Sequence, residues 1–324
     1  MGGTGLDINE MTQADTPLAA HLYFDNAETA LAKNGRTFHW ARRFLGARQG
    51  HNAATLYSLC RLLDDMADGD IQEGPARLHQ IDHDLALMRQ DETHISLDPA
   101  FAHYQTFLQE HDISLIALSH LIDGLLLDQE IVALNSQDEL IRYGYYVAGT
   151  VGLMMCPLIG CHDAKASYFA MDMGIAMQLT NIARDVLEDA QMGRRYLPAE
   201  WVDGLSAHEI ALAARTQDKA KIALVKQAVD KTIKLGELYY QSGFAGLYFL
   251  PARPRLAIAI AAKAYRQIGI QLQQNDLNWH EGRTVTSTAS KAFQSFSALA
   301  KCAKPRLSPP HNSALHHPLR ELLS

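Results

Sequence analysis

The sequence predicts an all-α fold, and three observations carry that prediction. Long windows repeat apolar residues every three and four positions. Alternating apolar–polar runs closed by hairpin turns are nearly absent. Gly, Pro and Asp-Pro breakers fall between the periodic windows. Of 324 residues, 48% are hydrophobic and 20% charged, a globular balance over enough chain for a large core.

The elements follow in order. Residues 1–16 read as a loose segment. "CRLLDDMADGD", residues 60–70, sets Cys60, Leu62, Leu63, Met66 and Ala67 beside Asp64, Asp65, Asp68 and Asp70 on one helix, with Gly69 and Gly74-Pro75 as the following breakers. Asp98-Pro99 marks the next boundary. "IALSHLIDGLLLDQEI" (116–131) repeats at helical spacing. "YYVAGTVGLMMCPLIGC" (145–161) is uncharged but short of the roughly 20 residues of a membrane span, so it reads as a buried core helix. "SYFAMDMGIAMQLTNIARDVL" (167–187) is periodic up to the breakers Gly193 and Pro198. "RLAIAIAAKAYRQIGIQLQQ" (255–274), after Pro251 and Pro254, is rich in Ala, the best helix former. A single helical domain over 17–303 is expected. Residues 304–324, with four prolines and three histidines, read as a flexible extension whose histidines meet a metal only by accident.

Net charge is −7, which gives no basic footprint for nucleic acid. The four cysteines form no disulfide framework and read as reduced cytosolic thiols, Cys156 and Cys161 being packing residues. No signal peptide is evident, and the Met-Gly start carries Leu6 where a myristoylation pattern needs Ser or Thr.

The carboxylates carry the chemistry. Asp64 and Asp68, at i and i+4, share a helix face, with Asp65 beside them. Two carboxylates 5 Å apart repel by about 3 kcal/mol at an effective dielectric of 20, which calls for a cation. Oxygen ligands of this kind suit Mg²⁺, whose other positions are filled by water and phosphate. In "MQLTNIARDVLEDAQMGRRYLP" (177–198), Asn181, Asp185 and Asp189 repeat at i, i+4, i+8 and form a second stripe about 12 Å long. Gln178 extends it and Glu188 flanks it. Intrahelical pairing accounts for Arg184 with Glu188 but not for the stripe. Two ladders in one helical chain imply a central cavity with cations on opposite walls, Arg194 and Arg195 ready for phosphate oxygens, and apolar helices around something long and greasy.

At these residues the chain resembles the squalene/phytoene synthases, over about 34–291. "YSLCRLLDDMAD" is similar to the family's first aspartate motif, "YGYYVAGTVGLM" (143–154) to its central motif, and "QLTNIARDVLEDAQMGRRYLP" to its second signature. The resemblance implies an isoprenoid synthase fold and two prenyl diphosphate sites dependent on Mg²⁺ or Mn²⁺. By it, Asp64, Asp65 and Asp68 hold metal and one diphosphate. Asn181, Asp185, Glu188 and Asp189, with Gln178 nearby, do so for the other. Tyr143 handles a proton or guides the departing diphosphate. Tyr57, Arg61, Arg184, Tyr196, Tyr265 and Arg283 face the diphosphates, and the small residues of "VAGTVG" let a helix bend around a prenyl chain. The family's Ser-x-Ser-Phe stretch is replaced here by "NGRTF" (34–38). Thr37 and Phe38 are kept as substrate contacts, Gly35 loses a hydroxyl, and Arg36 is a substitute phosphate contact. Phe38 and Tyr146 are expected to turn π faces toward a carbocation.

The implied reaction joins two prenyl diphosphates head to head through a cyclopropyl diphosphate intermediate, with geranylgeranyl diphosphate giving phytoene. The alternative is a C30 product from farnesyl diphosphate: dehydrosqualene, hydroxysqualene or squalene. A chain elongase needs a second DDxxD where Asp185 and Asp189 stand as DxxxD, and a non-catalytic assembly factor typically lacks the aspartates. NADPH is not expected. A cytoplasmic protein touching the inner face of the membrane is expected, because the product is lipid-like.

Overall fold

The computed structural model describes residues 40–91, 93–129, 131–282 and 308–323. Ten α-helices run in chain order within them: α1 (Ala47–Ala67), α2 (Gly74–Met88), α3 (Pro99–Glu110), α4 (Leu115–Leu127), α5 (Gln137–Gly144), α6 (Thr150–Leu158), α7 (Ala166–Gln191), α8 (Ala207–Thr216), α9 (Lys219–Gly246) and α10 (Ala252–Gln274). Among the described residues there is no strand, and one isolated bridge joins Ala133 to Arg195.

Local chemistry sets the boundaries. Asp98, Ser114, Ser136 and Asp218 accept hydrogen bonds from the first free N–H groups of α3, α4, α5 and α9, and Ser206 with Glu209 forms a reciprocal capping box on α8. Gly193, at φ +83°, ends α7. Pro254 falls in the first turn of α10, where its missing N–H costs nothing, so that helix begins three residues before the periodic window.

Two elements differ from the sequence reading. The 116–131 helix stops at Asp128, because Val132 and Leu134 exchange backbone hydrogen bonds with Arg195 instead (Arg195 N to Val132 O 2.8 Å, Leu134 N to Arg195 O 3.2 Å). The 145–161 segment is not one buried helix. Tyr145–Gly149 forms a π turn between α5 and α6, with the Thr150 N–H reaching Tyr145 O and Thr150 Oγ1 donating to Tyr146 O at 2.7 Å. Such a turn holds one extra residue.

The long helix α7 is the hub. It packs against α9, α6, the π turn, α10 and α8, while α4 and α1 cover the far side of α6. One core layer joins α1–α4 through Leu59, Leu63, Phe101 and Ile122, and another joins α5–α10 through Ile175, Leu179, Val229 and Tyr239. The backbones of α6 and α7 approach closely: a Cβ at Gly152 would stand 2.2 Å from Ala170 O, and one at Gly174 would stand 2.2 Å from Ala148 O.

Residues 308–323, read from sequence as flexible, pack on this body. Arg142 Nε donates to Pro318 O at 2.9 Å, Tyr239 donates to Leu315 O at 2.8 Å, and Leu319 is fully buried. No helix of the described residues is long and apolar enough to cross a membrane.

Candidate active site

Three helices deliver carboxylates by their C-terminal ends. Asp64 and Asp65 lie in the last turn of α1 and Asp68 is its C-cap. Asp128 is the C-cap of α4. Asp185, Glu188 and Asp189 occupy the last two turns of α7. A helix C-terminus is already the negative pole of the macrodipole, so these acids raise the energy of the site unless cations answer them. Arginines answer part of it. Arg61 pairs with Asp64 at 2.8 Å and with Asp65. Arg184 grips Asp185 with its fork, Nε to Oδ1 at 2.7 Å, so its close partner is Asp185 and not Glu188. Arg194 lies 3.6 Å from Asp68.

The remaining crowding is legible in the carboxyl groups. Burial, with Asp185, Glu188 and Asp128 as neighbours, pushes Asp189 up to about 7 against the pull of Arg194. Burial, opposed by Arg61 and joined by Asp68, Asp65 and Asp128, pushes Asp64 up to about 6. Both ladders therefore sense Asp128, which the sequence reading did not single out. Tyr143 donates to Asp128 Oδ2 at 2.8 Å and Tyr196 to Oδ1 at 3.1 Å, with the two rings 4.7 Å apart. Burial raises Asp128 above the usual carboxylate range, while these two hydroxyls and Arg194 pull it back. Burial and then Asp128 raise Tyr143 well above an ordinary phenol, and its hydroxyl donates to Asp128. A lone Asp closing an apolar helix before an extended segment was the only sequence signal for Asp128.

Beside the ladders lies a cavity of about 340 Å³. Its polar end carries Tyr57, Gln178, Asn181 and Tyr265, and its interior is apolar, with Val151, Met155, Phe169, Met173, Leu247 and Ile258. Asn181 Nδ2 donates to Gln178 Oε1 at 3.2 Å, while Asn181 Oδ1 is buried with no hydrogen-bond partner. Burial raises the Tyr57 hydroxyl, opposed by Arg61.

Of the residues singled out in the sequence, Arg61, Arg184 and Arg194 thus pair with ladder carboxylates, Tyr143 and Tyr196 meet Asp128, and Tyr57, Gln178, Asn181 and Tyr265 stand at the polar end of the cavity. Thr37, Phe38 and Arg283 lie outside the described residues, as do Gly35 and Arg36. Two expectations are corrected. Arg195 is buried, and its Nη1 donates to the carbonyls of Leu134 and Leu197. It braces the 132–134 segment and is not available to phosphate. Tyr146 does not line the cavity. It packs over Gly124 of α4 and meets the His120 ring edge-on at 6.1 Å.

An all-oxygen donor set that includes an unsatisfied buried amide oxygen fits a hard divalent cation. Among the described residues, the ladder carboxylates do not converge into three ligand atoms within 4.8 Å of one another, so such a cation would complete its shell from water or substrate.

Known proteins resemble this chain along most of its length. The family model for squalene/phytoene synthase matches residues 31–290. The chain is 35% identical over 269 residues to 15-cis-phytoene synthase of Enterobacter agglomerans, covering 79% of this chain and 88% of that one. It is 33% identical over 283 residues to 15-cis-phytoene synthase of Pantoea ananas, covering 82% and 88%. A dehydrosqualene synthase solved with a ligand superposes with a TM-score of 0.72 at 25% identity, over 88% of this chain and 99% of that one. Squalene synthase HpnC from Alicyclobacillus acidocaldarius has the same fold, with a TM-score of 0.67 at 19% identity over 81% and 97%. With its aspartate ladders on two helices that both line one cavity of an isoprenoid synthase fold, and with this match along most of its length, the chain belongs to the squalene/phytoene synthase family.

Proposed function

We propose that the protein is a prenyltransferase that condenses two geranylgeranyl diphosphates head to head, through a cyclopropyl diphosphate intermediate, to phytoene. The observation that carries this reading is the pairing of two acidic ladders, linked through Asp128, with an apolar cavity that starts at Tyr57, Asn181 and Tyr265. The identity to bacterial phytoene synthases supports the C20 substrate.

In this reading Asp64, Asp65 and Asp68 hold Mg²⁺ on one wall, and Asn181, Asp185, Glu188 and Asp189 hold it on the other. Bound Mg²⁺ supplies the Lewis acidity that neutralises a departing diphosphate. The chain's own residues do the rest. Arg61, Arg184 and Arg194, engaged with Asp64, Asp185 and Asp68 in this structure, are the cationic groups that would meet diphosphate oxygens. Gln178, Tyr57 and Tyr265 stand where the diphosphate end of a prenyl chain meets the cavity. The apolar walls keep water from each carbocation. Tyr143 and Tyr196, fixed by Asp128, place two hydroxyls beside the ladders. Thr37, Phe38 and Arg283 remain proposed substrate contacts.

The likeness to a dehydrosqualene synthase favours a second reading, C30 condensation of farnesyl diphosphate. Contact with a membrane surface is also proposed, supported by the exposed side chains of Ile131 and Met192 beside the 132–134 segment. The test is organic extraction after incubating purified protein and Mg²⁺ with either diphosphate, with and without NADPH. Phytoene from the C20 substrate without NADPH is expected. A C30 hydrocarbon from farnesyl diphosphate selects the second reading, and no product from either overturns both.

A further inference from the structure

We propose that Asp172, His311 and His316 form a second metal site, one for a zinc-class divalent cation, which clasps the 308–323 segment to the helical body. The site is independent of the ladders. Asp172 lies thirteen residues before Asp185 on α7, about 20 Å along the helix axis.

The argument starts from an isolated charge. "YFAMDMGIAM" is apolar on every side of Asp172, whose carboxyl is fully buried. A lone buried carboxylate is costly by several kcal/mol unless it is paired or bound to metal. Three groups from two other segments meet it. Ser242 Oγ, on α9, donates to Oδ2. His311 Nε2 stands 2.9 Å from Oδ2, and His316 Nε2 stands 2.7 Å from Oδ1. Both imidazoles present the same nitrogen to one carboxylate, and the three ligand atoms all lie within 4.8 Å of one another.

The rings are held in place. Tyr168 stacks on His311 with centroids 5.3 Å apart, and Phe169 meets it edge-on at 5.1 Å. His316 is 7% exposed, and its ring lies 4.5 Å from that of His311.

Two imidazole nitrogens and a carboxylate oxygen are the donors of a three-ligand zinc site with water in the fourth position, and they differ from the oxygen-only set that suits Mg²⁺. Tetrahedral bonds of the usual length separate ligand atoms by about 3.3 Å, so the present contacts need open by less than about 1 Å. Ser242 then acts as the outer hydrogen bond that orients the carboxylate. The occupied site would join α7 to a segment that also bonds Arg142 and Tyr239.

The test uses the full chain without a histidine tag, stripped with chelator and titrated with Zn²⁺ alone in competition with a chromophoric chelator. Co²⁺ is titrated in parallel to read visible d–d bands. One equivalent of metal and a tetrahedral Co²⁺ spectrum are expected. His316→Ala and His311→Ala should weaken binding about a hundredfold or more, while Asp64→Ala/Asp185→Ala retains it. Hydrogen exchange across 308–323 should slow on Zn²⁺ addition in wild type only. Zn²⁺ affinity equal in wild type and in His316→Ala, with both folded by circular dichroism, overturns the proposal and leaves Asp172 as a hydrogen-bonded clamp.

Discussion

Tyr143 donates its phenolic hydrogen to Asp128 at 2.8 Å, and through that contact the central motif joins both aspartate ladders. Asp128→Asn keeps the shape but removes the charge, and its amide can accept from one tyrosine only. Turnover should fall by about ten- to a hundredfold, because one hydroxyl loses its acceptor and with it its fixed direction. Tyr143→Phe should cost about 1 kcal/mol of stability, read from a denaturant midpoint, with a similar loss of turnover. Wild-type rates in both variants would mean the cluster serves packing alone.

The ladders are tested by removing one carboxylate from each. Asp64→Ala and Asp185→Ala should each lower Mg²⁺-dependent turnover by about a thousandfold and leave the helical circular dichroism unchanged. Near-normal product formation in either variant would sink the two-wall assignment.

Asp189 near 7 and Asp64 near 6 fix a pH dependence. Free aspartates titrate near 4, so the folded chain holds protons that the unfolded chain has released between about pH 4 and 7. Stability without divalent cations therefore falls as pH rises through that window. The share of Asp189 is at most about 4 kcal/mol. Cation binding needs the ionised form, so Mg²⁺ affinity rises over the same range. Melting chelator-treated protein at pH 5 and 7.5, with and without Mg²⁺, reads both effects. Mg²⁺ should raise Tm more at 7.5, and Asp189→Asn should lose less stability than wild type between the two pH values. Equal pH slopes in wild type and variant would contradict it.

The cavity wall depends on a backbone approach that admits no side chain. In Gly174→Ala the new Cβ would stand 2.2 Å from Ala148 O, so α7 and the π turn must separate. A loss of about 1–3 kcal/mol is expected, measured by urea midpoint, with weaker substrate binding. An unchanged midpoint would show that the two backbones part freely.

The ladders were legible because their signal is local: i, i+4 spacing on a helix is readable without tertiary information. Tyr143, Tyr57 and Tyr265 were legible only by resemblance, since a lone tyrosine on a helix looks like core. Asp128 escaped because it shares no helix face with another carboxylate, and its partners come from α5 and from the strand-like stretch after α7. The histidines at 311 and 316 were discounted as part of a Pro-rich tail. The readable clue lay elsewhere, in a single acid amid the apolar face around Asp172, which had to find partners somewhere in the fold. Arg195 misled for the opposite reason: adjacent arginines look alike in sequence, yet one turns toward Asp68 and the other inward to two carbonyls.

The π turn at Tyr145–Gly149 also sets an azimuth. One residue more or fewer rotates everything downstream by about 100°. In the present phase Val151 and Met155 face the cavity, while Met154 and Leu158 join the α1–α4 core. Deleting one residue from the five would swing these faces out of alignment, bringing bulk to the tunnel side and opening a hole on the other. Point changes in this window are local events, whereas a one-residue deletion re-indexes the whole wall. The spacing between the central tyrosine and Met155 is thus a mechanical dimension of the active site, as fixed as any ligand distance.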